Sequence, residues 1–114
     1  MYVRSGQGGG ENVAIGTFTG SSSSNTKVTL GFKPKKLCYY GDWTSAKKLM
    51  VEYDEDISTT TVLAGYRTSS NGFNQYTIGA TNSNIPNSID NDGFTIRPVL
   101  SDFNGLTISY FAIG

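Results

Sequence analysis

Carboxylates gather at two places in this chain. Glu52, Asp54, Glu55 and Asp56 form the denser group, and Asp90 and Asp92 flank Asn91 in the second. Oxygen donors of this kind can hold a hard cation. Neither group has the spacing of a known calcium loop, and acids at a β-turn are for the most part solvated turn formers, the reading we favour. We expect no metal and no cofactor. A glycosidase needs two carboxylates facing one sugar about 5–9.5 Å apart. Only Glu52, Asp54 and Asp102 could supply such a pair, and folding would have to bring them together. The chain has no histidine and one cysteine, Cys38, inside an apolar run. The commonest general base and zinc ligand are therefore missing, and hydrolytic triads are excluded or strained. We expect no catalytic residues and no enzyme activity.

Aromatic side chains offer a different chemistry. Trp43, Phe73 and Phe103 stand among loop residues such as Asp42, Asn71 and Asn104. A ring gives an apolar face to sugar C–H groups while amides and carboxylates beside it accept hydroxyl hydrogen bonds. Asp42, Trp43, Asn71, Phe73 and Phe103 are thus the candidate ligand-binding residues. The competing reading is that each ring folds back to cap the core. Tyr39, Tyr53 and Tyr66 fit inward-facing or subunit-facing positions. Lys33, Lys35, Lys36, Lys47 and Lys48 cluster around the third and fourth predicted strands. They could meet an acidic cell-wall polymer, but fit better as solvated edge charges that discourage aggregation.

The elements that would carry these residues are strands. Charged residues are 16% of the 114, and Gly, Ser, Thr and Asn fill the gap, a composition suited to β-structure with many turns. Nine basic and nine acidic residues cancel, which argues against a nucleic-acid partner or an anionic membrane surface. The sequence shows no apolar run long enough for a membrane-spanning helix and no secretory signal pattern. Cys38 has no intrachain partner and reads as a small buried hydrophobe in a reducing cytoplasm.

Period-2 alternation predicts strands over NVAIGTFTG, KVTLGF, KKLCYYG, KKLMVEYD, the stretch through Val62, Ala64 and Tyr66, and FNQYTIGA. Ser69-Ser70-Asn71-Gly72 gives the strongest hairpin signal. TNSNIPNSIDNDG reads as a long polar loop. From Asp92 to Gly114 the pattern predicts two strands joined by a short turn, with Leu106, Ile108 and Tyr110 facing the interior. The last strand and KKLCYYG are apolar on both faces, which predicts central strands covered on both sides. Strands and turns recur about every ten residues, the spacing of an all-β sandwich or barrel. We expect an all-β antiparallel β-sandwich of six to eight strands, with residues 1–11 a flexible Gly-rich lead and 12–114 one domain.

The run VTLGFKPKKLCYY followed by DGFTIRPVLSDFNGLTISYFAIG resembles the H-type lectin family. Phe32 and Pro34 match its step between strands, Gly93 and Phe94 its "GF" strand, and Tyr110, Ala112 and Gly114 its closing strand, with Tyr110 where the family often has Trp. YDEDISTTTVLAGYRTSSNGF and NSIDNDGF resemble tail and fibre proteins of phages and prophages. The resemblance, which spans about Val13 to Gly114, implies an antiparallel sandwich that assembles as a homotrimer. The family's sugar-contacting residues find no counterparts here.

Together these readings give a non-enzymatic phage-tail structural or receptor-binding module, made in a bacterial cytoplasm and ending in the virion. Its partners would be itself, as a trimer, and a cell-surface glycan or other tail proteins. A purely structural assembly subunit and a small glycan-active enzyme are the alternatives. Phe111 and Ile113, on the second apolar face of the last strand, are the candidate oligomer interface.

Overall fold

A computed structural model describes residues 12–41, 49–66 and 74–114. Nine strands form among them: β1 (Val13–Thr19), β2 (Thr26–Thr29), β3 (Lys36–Gly41), β4 (Leu49–Asp54), β5 (Thr61–Tyr66), β6 (Asn74–Thr77), β7 (Pro86–Asp90), β8 (Gly93–Ile96) and β9 (Thr107–Ile113). A six-stranded sheet runs in the order β1-β9-β3-β4-β5-β6, and a three-stranded sheet runs β2-β8-β7. All pairs are antiparallel. The all-β sandwich expected from the alternation is the fold observed, with nine strands where six to eight were expected.

The extra strand is β7, in the stretch expected to be a loop. Pro86 is its first residue, the position where a missing N–H costs the ladder nothing. A register shift between Pro86 and Ser88 then breaks the alternation, so the pattern carries no period-2 signal. The second correction concerns the last two strands. They are not a hairpin: β8 lies in the small sheet and β9 in the large one. Pro98 ends the first ladder, and a short 3-10 turn at Ser101–Phe103 carries the chain across. Gly105, at φ 78°, completes the reversal. The strand expected over KVTLGF closes early, at Thr29, because Gly31 turns the chain at φ 87°.

Both strands expected to be central are so. β9 lies between β1 and β3, and β3 lies between β9 and β4. The final residue described is tied in as well: the Asn12 and Gly114 backbones exchange hydrogen bonds of 3.0 and 2.9 Å. Inward residues of the large sheet include Phe18, Leu37, Tyr39, Leu49, Val51, Val62, Ala64 and Ile108, all buried. Phe94 and Ile96 enter from the small sheet. Phe94 sits among three rings of the large sheet. It is parallel to Tyr39 at 6.1 Å between centroids, edge-on to Tyr110 at 5.8 Å and edge-on to Phe18 at 6.1 Å. Such contacts add about 0.5–1.5 kcal/mol each beyond area burial.

Two buried polar residues, Tyr39 and Asn84, are joined by a hydrogen bond beside this cluster. The Tyr39 hydroxyl donates to the Asn84 carbonyl, and Leu100 N–H donates to Asn84 Oδ1 at 2.9 Å. Asn84 adopts φ 73°, a conformation that asparagine tolerates better than most residues. It ties the segment before β7 to the one after β8.

On the outside of the small sheet, Lys27 of β2 reaches across β8. Its ammonium is 2.7 Å from both Asp90 and Asp92. Partial burial alone would raise the Asp90 carboxyl, but hydrogen bonds from Lys27, Ser88 and Thr95 outweigh it and hold the group below its ordinary value. The same contacts raise Lys27. The stabilisation from Asp90 is therefore full above the unfolded carboxyl value of about 3.9 and is lost as pH falls through the lower folded value. That from Lys27 is full below its unfolded value of about 10.4 and is lost as pH rises through the higher folded one. We expect the melting temperature to drop below about pH 4, and Asp90→Asn to lower it at neutral pH while flattening the acid limb. Parallel profiles for the two proteins, measured by thermal denaturation across pH, would contradict the pairing.

Candidate functional site

The inward face of the large sheet is closed by the small sheet. Its outward face is not covered by any described element. Register fixes what that face presents. Ile15 pairs with Phe111, Phe111 with Cys38, Cys38 with Glu52, Glu52 with Leu63, and Leu63 with Gln75. One row of side chains thus crosses all six strands, and four of its six members are apolar or a thiol. Beside it lies a second row, Val13, Ile113, Lys36 and Asp54.

Exposure along the row is uneven for a physical reason. Ile15 on the edge strand is 75% exposed and Leu63 is 47% exposed, whereas Phe111 and Cys38 are half-buried by their cross-strand neighbours. Ile57, in the turn after β4, is 84% exposed. It joins Leu63, Phe111 and Ile113 around a groove of ≈ 380 Å³ that also meets Lys36, Glu52 and Asp54. The groove is lined by apolar side chains together with two carboxylates and one ammonium.

The charges there differ in their engagements. Asp54 accepts the Asp56 N–H at 3.0 Å through one carboxylate oxygen, and the other lies 3.8 Å from the Lys36 ammonium. It shapes its own turn. Glu52 is exposed and has no ion-pair partner among the described residues. Asp102 stands on the 3-10 turn and does not line the groove. The carboxylates considered for a two-acid mechanism are thus not all gathered at one place. Asp90 and Asp92 hold Lys27, and no group of three or more potential metal ligands occurs among the described residues.

Phe103 was expected to present its ring to a ligand, and the fold overturns that. It is fully buried. The 3-10 turn places it in the core cluster, and its backbone carbonyl comes so close to Gly20 that a Cβ there would lie 2.9 Å from the oxygen. Loop composition alone could not distinguish a ring that faces out from one that plugs the end of a sandwich. Asp42, Trp43, Asn71 and Phe73 lie outside the described residues, as does the hairpin signal at Ser69–Gly72. Phe111 and Ile113 are on the outward face as the alternation placed them, both half-buried. Tyr39 and Tyr53 face inward. Lys33, Lys35 and Lys36 are exposed, but Lys36 is on a central strand and not at an edge.

The residues that sequence reading missed on this face are Ile15, Leu63 and Glu52 as neighbours of Phe111. Each belongs to a different strand, and only the register brings them into one row. Comparison with protein-family models, with curated proteins and with solved structures finds no match to this chain.

Cys38 reports on the row from its centre. Burial is the main cause that raises its thiol, and the Glu52 carboxylate across the strand pair raises it further. The thiolate is the reactive form, so alkylation at neutral pH should be slow. Because burial leads, Glu52→Gln should speed iodoacetamide labelling only modestly. An unchanged rate would show that Glu52 does not act on the thiol.

Proposed function

We propose that this chain is a non-enzymatic structural or binding module of the phage-tail type, which assembles with copies of itself through the outward face of the large sheet. The observation that carries this is the cross-strand row on that face, in which Ile15, Phe111, Cys38 and Leu63 are interrupted by a charge only at Glu52 and which has no described element over it. An apolar row on an open sheet face is costly to leave in water and marks a surface for association. The sequence resemblance supplies the setting, a virion tail, and the number of copies, three.

Host binding would then act by avidity. Weak sites on three copies engage a repetitive glycan surface together, which raises apparent affinity by a factor of about 10²–10⁴. Asp42, Trp43, Asn71 and Phe73 are the residues we assign to such a site. The burial of Phe103 favours a second reading, a structural assembly subunit that binds tail proteins and no glycan, because it removes one of the three loop rings proposed for sugar contact.

Two measurements test these readings. Wild-type protein should sediment as a trimer at micromolar concentration, and Phe111→Asp should lose the trimer with unchanged β-sheet circular dichroism. A wild-type monomer, or a variant that stays trimeric, would refute the face as the interface. On a cell-wall glycan array, wild type should bind and Trp43→Ala should lose most of the signal. A blank array for the wild-type trimer supports the purely structural reading.

A further inference from the structure

The two sheets have four outer strands, and they are not alike. β2 is four residues long and carries Lys27. β6 is also four residues long. β7 begins with Pro86 and contains a register shift. Short length, lysine, proline and bulges are the means by which sheet edges avoid further pairing. β1 has none of them. It runs seven residues, VAIGTFT, without charge, proline or bulge.

The direction of its backbone groups follows from the β9 ladder. Asn12 and Gly114 exchange hydrogen bonds, and Gly20 donates to the Leu106 carbonyl. In an antiparallel pair the bonded residues alternate, so Asn12, Ala14, Gly16, Phe18 and Gly20 spend their backbone groups on β9. Val13, Ile15, Thr17 and Thr19 turn theirs the other way, to an edge with no partner among the described residues. Four N–H and four C=O groups stand in line there.

We propose that this edge pairs with β1 of a second copy, antiparallel about a two-fold axis at Gly16. That register suits the strand. It sets Ile15 opposite the partner's Thr17 and Val13 opposite the partner's Thr19, overlaps all seven residues, and forms about eight hydrogen bonds, two for each pair of outward residues. No like charges meet, since β1 carries none and the chain is neutral overall. The contact uses backbone groups of the β1 edge, whereas the Phe111 face uses side chains, Ile15 among them, so the two are different surfaces of one strand.

Amide exchange reads this contact directly. In assembled protein the Ile15 and Thr17 amides should exchange about tenfold or more slowly than in dilute monomer, in step with sedimentation. Thr17→Pro removes an outward N–H and leaves the β9 ladder whole, so it should abolish that concentration-dependent step with the sheet signal retained. Thr17→Lys, at an exposed side chain outside the apolar row, is the variant to use should the proline variant fail to fold. In Phe111→Asp protein the Ile15 and Thr17 amides should still become protected on concentration. Fast exchange at every concentration overturns the proposal. So does protection that persists in the monomer, because it would mean that the edge is covered from within the chain.

Discussion

The structure depends on one ring. Phe94 comes from the small sheet and is enclosed by Phe18, Tyr39 and Tyr110 of the large one. The small sheet has three strands against six, so its hold on the larger sheet comes from a few deep side chains. Phe94 can reach that depth because of its neighbour. A Cβ at Gly93 would collide with the Val28 carbonyl oxygen, so the absence of a side chain there lets β2 and β8 approach closely. The opposite wall of the pocket is arranged in the same way. A Cβ at Gly16 would meet the Tyr110 hydroxyl at 2.6 Å. Glycine in β1 therefore leaves the space in which the Tyr110 ring lies against Phe18.

Closing one face of the large sheet leaves the other open, and the two faces are built from the same strands. β9 illustrates this. Ile108 and Tyr110 serve the aromatic cluster, while Phe111 and Ile113 serve the outward face. A strand apolar on both sides satisfies two surfaces at once, one within the chain and one outside it. The fold and the proposed assembly are thus consequences of a single alternation, offset by one residue.

Much of the fold was legible because alternation survives in β1, β3, β4 and β9. β4 has Leu49, Val51 and Tyr53 at every second position, the other three carry shorter apolar runs of the same period, and none has a proline. β7 was hidden by Pro86 and by the irregularity at Asn87, which destroy period-2 patterning while leaving a strand in place. The crossing between β8 and β9 was hidden as well, since Asn104-Gly105 signals a reversal but not which sheet the chain enters. The candidate site was legible in part. Alternation puts Phe111 and Ile113 on one face, but no local pattern tells that Leu63 and Ile15 share their row. Phe103 shows the limit from the other side, since its neighbours Asp102 and Asn104 are polar and solvent-exposed while the ring itself is buried.

The order of the large sheet also bears on how the protein is made. β9 is synthesised after every other strand described, yet it takes a place inside the sheet, with β1 on one side and β3 on the other. Until it emerges from the ribosome, β1 has no neighbour in its own sheet and β3 has only β4. Pairing that waits on so distant a segment raises contact order and slows folding. The nascent chain must spend that interval with β1 unpaired in its sheet and one edge of β3 open, a state prone to wrong association. The sheet is thus completed only by the last of its described strands to be synthesised.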